Sequence, residues 1–305
     1  MKMQNLFTAV LILPIMGVMS LLTGCGGGGG TAPSLVRWPV FAPSGSVTTA
    51  GTFSDVDYTL NSGDGTVVSW SGLGTPQQQG NLVVFNHDAN DRLTEVRINY
   101  VGGTLIWDST AGDTLQLINE GLGMVDNSGN LIGAFANPEH PDLGWNYQTY
   151  GLWMDFGTTT LNLGTLSTGL PTDGANIPTT NSATFSGFSE GVHTVVGETP
   201  YLTQADVSAE VNFGSRTVAL STSNTQTMGL DGSSPQNANF LNFTGTLTYA
   251  PGNNYFSGSV STTTPGFTGN AGGQFYGPAA EELGGTFELS DGGSEGYVGA
   301  FGAAR

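Results

Sequence analysis

Three histidines, His87, His140 and His193, are the side chains best suited to metal or proton chemistry, and they stand far apart with no His-x-x-x-His spacing. Gly187-Phe188-Ser189-Glu190-Gly191 has the Gly-x-Ser-x-Gly form of a nucleophile elbow. That motif works only on a strand–turn–helix that strains the serine toward a histidine base. Here the next residues, Val192-His193-Thr194-Val195-Val196-Gly197, are β-branched and short, so no helix supports an elbow. The carboxylates are scattered, and Asp88 and Asp91 lack the glutamate that would complete an EF-hand loop. No Gly-rich loop leads from a strand into a long helix, which removes a phosphate cradle. The chain is therefore read as a non-enzyme with no catalytic residue and no metal site.

His140 has the richest surroundings. It lies in Asn137-Pro138-Glu139-His140-Pro141-Asp142, a loop that enters an aromatic run of Trp145, Tyr147, Tyr150, Trp153 and Phe156. One reading is a core strand preceded by a rigid proline loop. The other is a ligand-contact edge, with aromatic faces for a flat apolar molecule and a histidine able to coordinate iron. On that reading His140, Trp145, Tyr147 and Tyr150 are the candidate ligand-binding residues. No cofactor is required, and haem is the candidate ligand. His87, in Asn86-His87-Asp88-Ala89-Asn90-Asp91, is better explained by a turn.

The N-terminus reads as an address and an anchor. Met1-Lys2 precedes an apolar run over 6–22 that is broken by Pro14 and ends in Leu22-Thr23-Gly24-Cys25. A basic start, an apolar centre and small residues at the end make residues 1–24 a secretory signal. The final tetrapeptide resembles a bacterial lipobox, cut before Cys25 and lipidated on its sulfur. Cys25 is the single cysteine, so disulfides and thiol catalysis are not expected. Several acyl chains on one residue hold a protein to a membrane where one alone is marginal. Five glycines, Gly26 to Gly30, open a flexible tether, and residues 25–37 are assigned to the lipidated cysteine and that tether. No aspartate follows Cys25, the usual sign of export to the outer membrane in Gram-negative lipoproteins.

Of 305 residues, 6 are basic and 24 acidic. Removing 1–24 deletes Lys2 alone among the charges, leaving five basic against 24 acidic residues and a net charge of −19. Nucleic acid is bound by neutralising phosphates with Lys and Arg, so it is excluded as a partner. Solubility accounts for the acidity, and complementarity to a basic partner is the functional alternative.

With 48 glycines and abundant Thr, Ser and Asn, the composition points to an all-β chain. Strands are expected over 47–53, 55–60, 67–70, 82–86, 95–100, 104–107, 115–118, 131–135 and 149–156, within a strand-rich unit of 38–180. The stretch 164–181 is rich in Thr, Gly, Pro and Asn with little to bury, and marks the boundary. Beyond it, strands are expected over 183–188, 203–213, 217–223, 240–248, 255–260, 271–275, 285–289 and 296–301, with one helical turn at 278–283. This pattern fits an eight-stranded antiparallel barrel or a sandwich of similar strand count.

The last thirty residues carry a resemblance. Phe275-Tyr276-Gly277-Pro278, then Ala280-Glu281-Glu282-Leu283-Gly284-Gly285, then Val298-Gly299-Ala300-Phe301-Gly302-Ala303 resemble the closing signature of the transferrin-binding protein B-like β-barrel. That family consists of bacterial surface lipoproteins, including relatives that bind haem or complement factor H. The resemblance implies an all-β chain with an N-terminal β-rich handle domain, 38–180, followed by a C-terminal eight-stranded antiparallel barrel, 181–305. Tyr150-Gly151-Leu152-Trp153 is similar to the last handle strand. The length suits a single-lobe member. The implied role is a lipid-anchored outer-membrane binding protein, displayed on the cell surface, that captures a solute such as haem or another iron source. The alternative is an adhesin or host-protein-binding lipoprotein with no small-molecule ligand.

Overall fold

The computed structural model describes residues 45–118, 121–137, 145–263 and 266–305. The signal peptide, Cys25, the tether and His140 lie outside the described residues. The regular structure is almost entirely antiparallel strand, in two sheets.

The N-terminal sheet contains β1 (Ser46–Leu60), β2 (Val67–Ser71), β3 (Gln77–His87), β4 (Leu93–Tyr100), β5 (Gly103–Asp108), β6 (Thr114–Ile118), β7 (Gly121–Val125), β8 (Leu131–Ala136), β9 (Gln148–Phe156) and β10 (Thr160–Gly169). Its order is β5-β4-β3-β1-β10-β9-β8-β7-β6, with β2 paired to the end of β1. The sheet curls until β5 and β6 face each other. In the turn that joins them, the Asp113 carboxylate accepts the Asp108 amide at 2.7 Å and the Asn127 amide of the β7–β8 turn at 2.8 Å, beside a backbone hydrogen bond from the Asp113 amide to the Asp108 carbonyl at 3.1 Å. Inside the curl, Phe53, Phe85, Trp107, Phe135 and Trp153 form one apolar core.

The C-terminal sheet contains β11 (Ser182–Val195), β12 (Tyr201–Asn212), β13 (Thr217–Met228), the two-residue β14 (Gln236–Asn237), β15 (Phe243–Tyr249), β16 (Tyr255–Thr262), β17 (Thr268–Tyr276), β18 (Glu282–Ser290) and β19 (Glu295–Ala304). Apart from β14 these eight strands run up and down in chain order, and β11 pairs with β19 to close the barrel. Of the two architectures open to the sequence, the barrel is the one formed. Alternation explains it: Val207, Ala209 and Val211 on β12 point into the same core as Phe275, Phe287 and Phe301, while their neighbours face out. Closure leaves no edge strand exposed.

Several elements differ from expectation. Residues 164–169 belong to β10, whose inner half is buried, because the glycine and threonine side chains there are small enough to lie between two sheets. The last strand of the first sheet is accordingly β10, and Tyr150-Gly151-Leu152-Trp153 lies in β9. The expected helical turn at 278–283 is a tight turn, with Gly277 and Ala280 at positive φ, and Glu282 already begins β18. The two strands expected over 47–60 are one, β1.

Candidate functional site

The two sheets pack face to face, with β1, β9 and β10 against the outer wall formed by β11, β18 and β19. That wall is built from small residues on β19, where Val298, Ala300, Gly302 and Ala304 alternate with lumenal Tyr297, Phe301 and Ala303. The small wall admits large rings. A Cβ on Gly302 would stand 2.8 Å from Trp145 and 3.0 Å from Tyr150. The rings of Trp145 and Tyr150 are themselves 5.5 Å apart, both fully enclosed, so two of the candidate ligand residues form part of the seam between the sheets. Tyr147 is half-buried over Gly277 at the β17–β18 turn. Trp153 faces the opposite way, into the N-terminal core, with its Nε1 donating to Asn162 at 3.1 Å. His140, the fourth candidate, is outside the described residues.

Polar contacts fix the same seam. Gln148 Nε2 donates to the carbonyls of Leu283 at 2.7 Å and Ala303 at 3.1 Å. The buried Glu282 carboxylate accepts the amides of Asn146 at 2.5 Å and Tyr147 at 3.0 Å. Burial outweighs those hydrogen bonds and pushes its pKa up to about 7. Glutamates 281 and 282, expected to start a helix, divide the work: Glu281 receives the Ala279 amide within the turn, and Glu282 ties the turn to β9.

The barrel lumen is filled by side chains. Phe275 meets Phe185, Phe213, Tyr249 and Phe256, and Phe287 packs on Phe243 and Tyr297 at 4.7 and 4.9 Å. Ser189 sits in mid-strand β11 rather than on an elbow, and its hydroxyl is buried in the wall with no partner. His193, four residues on, is buried at the upper end of the lumen. Its Nε2 lies 3.2 Å from Glu295, and three rings, Tyr201, Phe240 and Phe267, surround it. Burial pulls its pKa down, only partly offset by Glu295. The described arrangement gives Ser189 no base.

That upper end holds the turns after β11, β13 and β18. Val67 of β2 joins it, donating to the Glu198 carbonyl at 2.9 Å and accepting from Gly197 at 2.8 Å. Three large apolar side chains stand open around this rim, Val68 at 53%, Phe240 at 43% and Val196 at 40% exposure. Glu198, Asp231 and Asp291 are exposed beside them, with Glu295 half-buried. The four described arginines are elsewhere: Arg92 and Arg97 by β4, Arg216 in the β12–β13 turn, Arg305 at the opposite end. Sequence reasoning passed over this rim. Its one signal was Phe240-Leu241 inside an otherwise polar loop; Leu241 turned inward and Phe240 did not.

Comparison with known proteins separates the two halves. Residues 177–305 match the family described as the C-lobe and N-lobe beta barrels of Tf-binding protein B. The barrel is similar to the barrels of that family. The matched segment begins just before β11 and runs to the C-terminus, so it contains the whole eight-stranded barrel and none of the N-terminal sheet. No curated protein matches the chain. Among solved structures, a transferrin-binding protein B variant from Haemophilus parasuis is similar at 14% identity, covering 86% of this chain and 78% of that one, with a TM-score of 0.45. Transferrin-binding protein B from Neisseria meningitidis is similar at 14% identity, over 86% and 77% of the two chains, with a TM-score of 0.34. The N-lobe domain of lactoferrin-binding protein B from Moraxella bovis shares 11% identity over 83% and 98%, with a TM-score of 0.37.

Proposed function

We propose that this chain is an outer-membrane lipoprotein, anchored through Cys25, that captures a protein at the cell surface through the upper rim of its barrel. In this reading 38–180 is the handle and 181–305 the barrel. The observation that carries it is the contrast between a lumen packed with aromatic rings and a rim that exposes Val68, Val196 and Phe240 among carboxylates. A packed lumen offers no cavity to a drug-sized ligand, whereas exposed apolar groups ringed by charge suit a protein surface.

The partner class follows from the barrel family, whose name records binding of transferrin: a host iron-carrier protein. The test is surface plasmon resonance of the full lipoprotein against iron-loaded transferrin and lactoferrin, with hemin as a separate arm. Saturable binding of a carrier protein, weakened at least tenfold by Phe240→Ala, is the expected result. Binding of hemin alone, lost in His140→Ala, would replace this reading with haem capture by the loop before β9. No binding of any of the three would overturn both.

A further inference from the structure

The turn between β12 and β13, Phe213-Gly214-Ser215-Arg216, lies at the end of the barrel opposite the rim. Its last residue takes a backbone φ of 58°, the left-handed region that glycine and asparagine fill at least cost. An arginine stands there instead. A long side chain kept at such a position points to use, because the backbone alone would be better served by a smaller residue. The Arg216 carbonyl accepts the Tyr249 amide at 3.3 Å, which sets the turn beside the end of β15. No hydrogen bond or ion pair from the described residues reaches the exposed Arg216 guanidinium.

Arg216 stands at the lip of a cleft under the lower mouth of the barrel. The floor is apolar, made by Phe213 and Tyr249 from the lumenal rings and by Ile177 from the connection between the sheets, all three buried. Pro178 and Pro251 form the sides, with Pro251 and Arg216 open to solvent at the entrance. The walls are fixed. Proline rings hold the backbone torsions, and a Cβ on Gly174 would fall 2.0 Å from the Gly252 carbonyl, so connection and turn touch backbone to backbone. The cleft encloses about 70 Å³ of free space, room for roughly five to seven water-sized groups. Arg216 is the one charged residue among the described residues that line it. The Tyr249 hydroxyl, on which the Arg216 charge acts, is buried with no partner. The cleft thus holds a cation and a hydroxyl donor with no acceptor for either.

A short apolar acid has the matching chemistry. Its carboxylate fits the planar fork of the guanidinium through paired hydrogen bonds, and its alkyl chain covers the apolar floor. We propose that this cleft is a binding site for a small apolar monocarboxylate, of about the size of butyrate, held by Arg216. The nearby carboxylates are engaged elsewhere: Asp173 accepts the Ala175 amide at 2.9 Å and Glu281 the Ala279 amide at 2.8 Å. The site lies at the far end of the barrel from the rim and is independent of protein capture there.

The experiment uses the full chain in detergent micelles with δ1-methyl-13C-isoleucine labelling, titrated at constant ionic strength with sodium butyrate and, separately, with n-butanol. Ile177 lines the cleft, while Ile98 is sealed in the N-terminal core and serves as the internal control. The expected result is a saturable shift of the Ile177 methyl with butyrate, an Ile98 methyl that does not move, and an apparent Kd raised at least fivefold in Arg216→Asn. Asparagine accepts the left-handed backbone, and an unchanged melting temperature shows that the variant folds. A third arm with N-acetylalanine separates the sources of the carboxylate. Tighter binding than butyrate assigns the cleft to peptide C-termini, and weaker binding assigns it to free short-chain acids. Absence of a saturable Ile177 shift with either acid, an equal shift in Arg216→Asn, or an equal shift with butanol would each overturn the proposal.

Discussion

In the C-terminal barrel each of the eight long strands has a hydrogen-bonded neighbour on both sides, whereas the N-terminal sheet stops at β5 and β6, whose connecting turn is held by the Asp113 carboxylate. Seven of the eight barrel contacts join strands consecutive along the barrel path, and one long-range pairing, β11 with β19, completes it. The N-terminal sheet is instead organised around β1, which pairs with β3 and β2 on one side and with β10 on the other. The barrel therefore derives its stability from ladder closure and a packed lumen. The other sheet depends on a seam of individual hydrogen bonds and on the barrel wall beneath it. That contrast assigns rigidity to the barrel and leaves the N-terminal sheet as the part whose stability is set by its neighbours.

The sharpest way to break the contrast is to open the lumen. Phe287 is fully buried between Phe243 and Tyr297, and Gly299 has no Cβ because the Phe287 ring would be 2.3 Å from it. Phe287→Ala should cost about 3–5 kcal/mol, read by chemical denaturation, with both sheets lost in one transition. The junction comes next. Gly302→Val forces methyl groups into Trp145 and Tyr150 and should cost about 1–3 kcal/mol. Trp145 emission should shift to the red while the barrel amides keep their exchange protection; loss of that protection would show that the two sheets are not separable.

The seam is a smaller target. Asp113→Ala removes two acceptors and should cost about 1–2 kcal/mol. Faster hydrogen exchange should be confined to the amides of Asp108, Asn127 and their neighbours, and an equal increase in the barrel would contradict the division drawn here. A pH profile probes the tie between the halves. Glu282 has its pKa raised to about 7 in the folded protein from an ordinary 4.5. The folded state then binds more protons between those values, so the stability this group contributes is complete below about pH 4.5 and is lost as pH rises through about 7. Glu282→Gln should flatten that decline, seen in thermal melts taken across the range. The smallest effect is expected at the rim: Phe240→Ala should cost no more than about 1 kcal/mol, since the residue is 43% exposed, while weakening capture.

The eight barrel strands were legible because each is short, alternates, and is bounded by Gly, Asn or Pro turns. The closing segment was legible as a family signature. β10 escaped because Gly164, Thr165 and Ser167 look like a linker. Ser167 instead faces the barrel, where its hydroxyl meets the Tyr276 hydroxyl at 3.0 Å, and Gly164 makes room inside the N-terminal core, where a Cβ would fall within the Trp153 ring. The Pro278 turn escaped because proline, alanines and glutamates are equally good at starting a helix and at filling a tight turn, and the Glu282 contact to β9 decides between them.

The candidate site divides along the same line. Sequence could pick out Trp145, Tyr147 and Tyr150 as a group, since aromatic residues close together in the chain are visible as a run. It could not say which way they face. That depended on Val298, Ala300, Gly302 and Ala304, more than a hundred residues away, presenting a wall low enough to receive the rings. The rim was invisible for a related reason, because it is assembled from strands and loops that only the closed barrel and its docked partner sheet bring together. Composition, charge, strand alternation and the terminal signature are local properties and were determined by the chain itself. Which side chains are buried and which loops share one end are long-range properties, decided by how the two sheets curl and pack.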